Sequence, residues 1–445
     1  MDSRDEGSAR EARWMDDGAP ALRRELIRLA WPIAVSTLSY AIMSLVDTLF
    51  VGRLGTAELA GVALGSTAFF SVICFGMGLM KGSKVLVSQA VGRGDPEDAE
   101  RHAAAALALG LGLALVTMLA GIAVAEVLPA IASGAAGEHA RAYARVRALG
   151  ALPLMVYYAL REVRYGFGDS RGPMNAVLVG NGLNIGLDAL FLFGFGWGVA
   201  GAAWATLLAS AGQAIWLWPS RSRRPIERAA IRANWRIGVP TAVQFSLEVG
   251  SFALLAALLA GLGDDAIGAH QIALQVCHFG FLPLVALSEA ASVMAGQAVG
   301  AERREQLHPV ARESARIGYG YAVVFGAMLF GAARPITGAF TDDPSLQAVA
   351  MSLLYVGIVF QLVDVANLMA RGILRGAGDV TFPALVAIVS AWVCTPPLTW
   401  LFGYVWGLGA LGGWLALFVE CAVGTVILWR RMVRGPRSEL GLARA

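Results

Sequence analysis

Charge is scarce in this sequence. Of 445 residues only 15% are charged, against about 25% in an ordinary soluble domain, while 57% are hydrophobic. A soluble chain of this size could not hide so much apolar surface, so a bilayer has to act as solvent. The net charge of +3 says little about partners, and no nucleic acid is expected. Lysine is nearly missing: Lys81 and Lys84 are the only two, so basic charge is almost all arginine. Cysteine is sparse as well. Cys74, Cys277, Cys394 and Cys421 lie in apolar stretches with no CxxC or His-rich spacing; they read as small hydrophobes packed between helices rather than as disulfides or metal ligands. The first twenty-five residues hold no apolar run behind a basic start, so no removable signal peptide is expected. Nothing resembles HExxH, GxSxG or a clustered His/Asp site, which argues against an enzyme, and no ring of like residues suggests a channel.

What the chain does have is long apolar runs and a mean hydropathy of +0.62. Runs of about twenty residues can cross a hydrocarbon core of roughly 30 Å, and because lipid cannot satisfy backbone polar groups they must be helices. Twelve spans are expected near 26–50, 57–89, 100–128, 141–163, 171–194, 198–219, 234–260, 266–299, 310–333, 346–370, 380–404 and 409–431. The organisation that follows is a cytoplasmic N-terminal tail (1–25), an N-lobe of six spans (26–219), a cytoplasmic linker (220–233), a C-lobe of six spans (234–431) and a cytoplasmic tail (432–445). Arginine sorts the loops into two classes. Arg23, Arg24 and Arg28 precede the first span; Arg221, Arg223, Arg224, Arg228, Arg232 and Arg236 crowd the middle linker; Arg430, Arg431, Arg434 and Arg437 end the chain. The alternate loops are short and Gly/Ala-rich or acidic, with Arg53, Arg141 and Arg334 as exceptions. Cytoplasmic loops carry the excess of basic residues, which places both termini and the linker in the cytoplasm.

An internal repeat is the strongest organisational signal. A shift of 208 residues, Pro32 to Pro240, superposes Gln89-Ala90-Val91-Gly92 on Gln297-Ala298-Val299-Gly300. A shift of 210, Arg161 to Arg371, pairs Gly168-Asp169 with Gly378-Asp379, Pro173 with Pro383 and Trp204 with Trp414. Parallel six-span repeats are related by a pseudo-two-fold axis along the membrane normal, and that arrangement leaves a cleft between lobes for substrate. The chemistry differs between the halves: Asp47 maps onto Leu255, Asn184 onto Cys394, Asp188 onto Leu398, Thr206 onto Ala416 and Glu248 onto Tyr40.

An ionisable group costs at least about 2.5–3.5 kcal/mol at the bilayer centre, so each one inside a span needs a reason. Asp47 lies deep in the first span. Asn181, Asn184 and Asp188 share one face of the fifth. Glu248 lies one turn beyond Gln244 in the seventh span, and Asp364 one turn beyond Gln361 in the tenth. No arginine stands out in sequence as a partner for these acids, so they read as proton or cation sites. Desolvation disfavours a charged carboxyl, which can then exchange a proton, and with amide and hydroxyl oxygens around it the same group can hold a hard cation such as Na⁺. Either event removes a buried negative charge and competes with a cationic substrate. Pro32 and Pro240 each remove a helix hydrogen bond and supply a bending point.

The motifs Val46-Asp47-Thr48-Leu49-Phe50-Val51-Gly52, Gln89 through Asp95, Leu187-Asp188 with Phe193-Gly194, Gly201 through Thr206, Gly268-Ala269-His270-Gln271 and Gly372 through Asp379 together resemble the multidrug and toxic compound extrusion (MATE) transporters over residues 24 to about 430. The resemblance implies an all-α, multi-pass protein of the bacterial inner membrane that exports small organic cations and drugs in exchange for H⁺ or Na⁺ by alternating access. It implies a monomer in the lipid bilayer with no cofactor and no metal beyond Na⁺. In some members it places a cation site on the residues matching Asp47, Asn184, Asp188 and Thr206, and in others on those matching Glu248 and Asp364; this chain carries both sets. Its Leu-Asp-x-x-x-Phe-Gly pattern looks more like the DinF-type branch, whereas Glu248 and Asp364 look more like NorM-type positions. The alternative is a lipid-linked precursor or polysaccharide flippase of the same superfamily. That function needs a strongly basic cavity, for which Lys81 and Lys84 are the only obvious candidates.

Lys81 and Lys84 interrupt the second span, and the shift of 208 maps Lys81 onto Glu289. A Lys81–Glu289 pair would be a cytoplasmic gate; the alternative is that the two side chains snorkel separately toward the cytoplasmic interface. His270, Gln271, Gln275 and His278 read as polar cleft lining rather than a metal site. Tyr40, with Gln244 and Gln361, joins the expected substrate lining, and Tyr157, Tyr158, Phe69 and Phe70 suggest an aromatic wall for cationic drugs.

Overall fold

The computed structural model describes residues 13–218 and 225–436. Arg221, Arg223, Arg224 and Arg437, with the outermost parts of both tails and residues 220–224 of the expected linker, lie outside the described residues. Among the described residues regular structure is entirely helical. In chain order the α-helices are α1 (Gly18–Gly52), α2 (Thr56–Gly92), α3 (Pro96–Ile131), α4 (Ala135–Leu149), α5 (Ala151–Gly166), α6 (Arg171–Asp188), α7 (Gly198–Leu217), α8 (Arg228–Ala260), α9 (Asp264–Gly300), α10 (Leu307–Gly338), α11 (Pro344–Gly376), α12 (Thr381–Thr399) and α13 (Ala410–Val433). Short π-helical turns, Ala189–Gly194 and Trp400–Val405, extend α6 and α12.

Eleven of these segments are long and apolar enough to cross a membrane. The twelfth expected span is α4 and α5 together. Gly150 separates them, yet its N–H donates to the Val146 carbonyl at 3.1 Å and its own carbonyl accepts from Leu154 at 3.2 Å, so helical bonding runs through. Helix starts follow local chemistry. Asp95 and Asp343 cap α3 and α11, accepting the N–H groups of Asp98 at 2.9 Å and Ser345 at 2.8 Å, and each is followed by proline at the first helical position. The Ser345 N–H holds the Asp343 carboxyl below the usual carboxylate range.

The chain divides into two compact units. One is Val35–Val243; the other takes the chain up to Ala34 and from Gln244 onward. Both crossings fall inside continuous helices, α1 and α8, shortly after Pro32 and Pro240. The first arm of α1 therefore belongs with the C-terminal half and the first arm of α8 with the N-terminal half, an exchange that the charged 220–233 segment does not reveal. In the Val35–Val243 unit, Met80, Met155, Val156 and Leu160 lie in the largest core, and α2 meets α8 backbone to backbone: a Cβ on Gly238 would lie 2.2 Å from the Leu79 carbonyl oxygen. The other unit packs Leu255, Leu259, Leu353 and Trp414, and Gly372 and Gly376 of α11 press on Ser288 and Ser292 of α9. Small residues at such contacts let helices approach closely where no hydrophobic drive from water operates.

Backbone conformation repeats between the units. The α2–α3 turn ends with Gly94 at φ 69° and the α9–α10 turn with Glu302 at φ 60°; the bonds Asp95 N–H to Ala90 O and Arg303 N–H to Ala298 O coincide at the shift of 208. Gly168 and Gly378 match at 210, but Gly196 with Gly407 and Gly198 with Gly409 match at 211. Burial shows where the frame slips. Pro173, Val177 and Gly180 match buried Pro383, Ala387 and Ser390 at 210, whereas Asn184 and Asp188 match buried Thr395 and Thr399 at 211. One extra residue has entered α12 ahead of Pro396 and Pro397. Beyond it the sequence pairings are corrected by one position: Asn184 corresponds to Thr395 rather than Cys394, Asp188 to Thr399 rather than Leu398, Thr206 to Leu417, and buried Trp414 to buried Ala203, not to exposed Trp204.

A β-carbon on Gly376 would sit 2.1 Å from the Ser292 carbonyl oxygen, whereas one on Gly112 meets nothing within 4 Å. Gly376→Ala is therefore expected to destabilise the folded protein by about 1–3 kcal/mol through overpacking, while Gly112→Ala leaves it unchanged or slightly more stable. Thermal unfolding of the detergent-solubilised protein measures both.

Candidate functional sites

In the Val35–Val243 unit, α1, α6 and α7 bring four polar side chains together. Asn184 is fully buried, and its neighbours decide how its amide points, because the reverse orientation would set oxygen against acceptors and nitrogen against a donor. Its nitrogen donates to Asp47 Oδ1 at 2.9 Å and Asp188 Oδ2 at 3.2 Å, and its oxygen accepts the Thr206 N–H at 3.3 Å. The carboxyls of Asp47 and Asp188 are themselves within hydrogen-bonding reach. Asp188 is 1% exposed, and its Oδ1 is buried with no hydrogen-bond partner. It occupies the last α-helical position before the π-turn, the kind of local irregularity that collects at functional sites. One turn earlier, Asn181 donates to Ser39 at 2.8 Å. Arg147, buried over the Phe69 ring at 5.0 Å, acts electrostatically on Asp47. This arginine in the middle of an apolar span was visible in sequence but was not singled out.

The C-terminal unit assembles a different set. Gln244 Nε2 donates to Glu248 Oε1 at 3.2 Å, and Arg371 Nη1 donates to the same oxygen at 2.9 Å. Glu248 therefore has an arginine partner inside the unit, contrary to the sequence reading, which left Arg371 in a loop after the tenth span; α11 continues two turns past Asp364 and carries Arg371 round to the same face. Cys421 Sγ donates to Asp364 Oδ1 at 3.6 Å, so this thiol is not simply an apolar filler. Glu420, which sequence reasoning missed, accepts a short hydrogen bond from Thr395. Arg371 acts electrostatically on Glu248, Asp364 and Glu420 together. Gln361 is buried, with Nε2 unpartnered. Among the described residues, no group of three or more His, Cys, Asp or Glu side chains is placed to hold a metal ion.

The remaining expected positions are placed unit by unit. Pro32 and Pro240 lie inside α1 and α8 beside the unit crossings. Lys81 is buried in α2 of one unit and Glu289 in α9 of the other. Tyr40, Gln271, Gln275 and His278 are exposed. His270 is not lining: it is 1% exposed and Trp414 Nε1 donates to its Nδ1 at 3.2 Å, a packed core histidine. The aromatic wall does not form either. Phe69, Tyr157 and Tyr158 belong to the core, and the Tyr158 ring lies under the Arg161 guanidinium at 4.7 Å.

Lys84 lies deep inside its unit. It is wholly buried, 4.0 Å from Glu162 Oε2, while Arg161 donates to Glu162 Oε1 through Nη2 at 2.7 Å and Nε at 3.2 Å. Glu162 therefore stands between a buried lysine and a half-buried arginine. In the other unit the matching positions are Ser292 and Gly372, two of the small residues at the α9–α11 contact. Removing one partner of a buried ion pair costs about 3–5 kcal/mol, so Glu162→Gln is expected to lower the unfolding temperature substantially. Glu126→Gln, which breaks the exposed pair with Arg145, is the control expected to leave it unchanged.

Comparison with known proteins follows the same division. A model of the MatE family matches residues 32–190 and 240–401. The chain is 32% identical over 415 residues to the probable multidrug resistance protein NorM of Deinococcus radiodurans, covering 88% of this chain and 91% of that one. It is 32% identical over 430 residues to the probable multidrug resistance protein NorM of Pseudomonas putida, covering 90% and 92%. Among solved structures it resembles MATE in complex with MaL6, at a TM-score of 0.86 and 24% identity over 93% of this chain and 96% of the other. A MOP superfamily transporter from Pyrococcus furiosus superposes equally well, with a TM-score of 0.86 and 24% identity over 93% and 96%.

Proposed function

Because this chain belongs to the MATE family of multi-pass multidrug efflux transporters, we propose that it exports organic cations and drugs in exchange for H⁺ or Na⁺ by alternating access, with the coupling site at Asp47, Asn184, Asp188 and Thr206. The observation that carries this reading is the Asn184 amide bridging two acids, one of which keeps a buried oxygen without a partner. A single positive charge at that oxygen offsets buried negative charge, and the membrane potential adds about 2.3 kcal/mol per charge per 100 mV to its movement. A proton enters this arrangement without rearrangement, since either acid can take it while the amide still donates to the other. A sodium ion needs oxygen ligands; to offer its own oxygen, the Asn184 amide would have to turn and release the Thr206 N–H.

Two observations weigh against the other readings. Glu248 already has a resident cation in Arg371, so Glu248 and Asp364 suit substrate recognition better than ion coupling. A flippase would need free basic charge, yet Lys84 is buried against Glu162. We also place both chain ends and residues 225–233 at the cytoplasmic face. The arginine distribution supports this, as do the Arg303–Asp16 pair and the 3.9 Å approach of Arg101 to Glu227, which gather the segments assigned to that face.

In proteoliposomes with imposed pH or Na⁺ gradients, the wild-type protein is expected to move a fluorescent organic cation, and Asp47→Asn to reduce gradient-driven movement to background while remaining folded. Transport by neither gradient defeats the antiport reading. Normal transport by Asp47→Asn together with loss in Glu248→Gln would move coupling to the C-terminal unit.

A further inference from the structure

The repeat places an arginine at the same point of both units, Arg161 on α5 and Arg371 on α11, and the two are held very differently. Arg161 reaches one oxygen of Glu162 through two nitrogens, at 2.7 and 3.2 Å, and its guanidinium lies 4.7 Å over the Tyr158 ring with Tyr157 and Tyr165 each at 5.9 Å. The two arginine side chains are equally exposed, at 20% and 19%, but the acid of Arg161 is only 1% exposed. Arg371 reaches Glu248 through one nitrogen at 2.9 Å, its Nε is buried without a hydrogen-bond partner, and no aromatic ring lies against it among the described residues. The side chains of the pair are 19% and 23% exposed. A planar guanidinium gains most from two-point contact and stacking; Arg161 has both and Arg371 neither.

The acids around Arg371 outnumber it. Glu248, Asp364 and Glu420 all lie within its field. Asp364 and Glu420 are held by neutral donors, Cys421 and Thr395, so Glu248 is the acid that Arg371 itself occupies.

Resting on the efflux reading above, we propose that Arg371 is a tethered cation that fills the substrate site of the C-terminal unit between transport cycles, and that an organic cation binds there by displacing it from Glu248. Arg371 then determines specificity. It subtracts from the affinity of every cationic substrate the cost of breaking its own pair, and it favours substrates that stack or bond better than a singly held guanidinium. The displaced side chain stays in the field of Asp364 and Glu420, so it is not left without counter-charge.

The test is equilibrium binding of tetraphenylphosphonium to purified protein in detergent without any gradient, with thermal unfolding measured in parallel. Arg371→Gln and Arg371→Met are expected to bind about tenfold more tightly than wild type, equivalent to about 1.4 kcal/mol. Arg161→Gln is expected to lose thermal stability with no gain in affinity. Unchanged or weaker binding by a folded Arg371 variant overturns the proposal. Failure of both Arg371 variants to fold overturns it too, because a residue the fold requires is not one a substrate can displace. If wild-type protein binds no tetraphenylphosphonium, the efflux reading itself fails, a result distinct from wild-type binding with no gain in the variants.

Discussion

A charge removed from water costs several kcal/mol even after the surroundings relax, and an apolar helical bundle offers little to repay it except another side chain of the same unit. Three solutions to that constraint organise this protein. Glu162 is neutralised outright between Arg161 and Lys84. Glu248 is neutralised by a single hydrogen bond from Arg371. Asp47 and Asp188 share one neutral amide, which adds no charge and leaves Asp188 Oδ1 without a hydrogen-bond partner. The first sets two cations against one acid and so reads as structural, although Glu162 Oε2 accepts no hydrogen bond. The second balances one cation against one acid through a single bond, and the third has no cation bonded to it. Functional readings attach to the last two for that reason.

The repeat explains how one fold carries three such arrangements. Turn geometry is conserved between the units down to the left-handed residue at Gly94 and Glu302, because helix ends must satisfy their own carbonyls whatever the side chains do. Side chains are not so bound. Asn184 and Asp188 correspond to Thr395 and Thr399 once the inserted residue in α12 is counted, so both units keep polar groups on that face while only one keeps the acid. Thr395 then serves Glu420, an acid with no counterpart at the matching Ala209.

Most of the fold was legible from residue order. Apolar run length identified the spans, and repeated turn motifs identified the halves, because both follow from local rules about lipid and helix ends. Two kinds of information were not. The position of the unit crossings depends on which helices pack together, so the arms of α1 and α8 exchanged halves without leaving a mark in composition. Pairing across helices was equally hidden. Arg371 looked like a loop residue because the periodicity of α11 fades near Gly372, and only the helix continuing to Gly376 turns Arg371 toward Glu248. The Asp47–Asn184–Asp188–Thr206 grouping was anticipated through family resemblance; spacing alone joined only Asn181, Asn184 and Asp188. The setting of Lys84 was hidden for the same reason, since its acid Glu162 lies on another helix and only packing brings the two together.

The two acid sites differ in what they can accept. At Asp47 and Asp188 the missing element is one positive charge in a space bounded by the Asn184 amide, and a proton supplies it while leaving every existing bond in place. At Glu248 a positive charge is already present, and an incoming cation must offer more contact than a guanidinium held through one nitrogen. A small ion gains little there over Arg371, whereas a large cation with apolar surface can bring dispersion and desolvation to the exchange. Sorting small ions to one unit and large cations to the other would follow from those two forms of neutralisation alone.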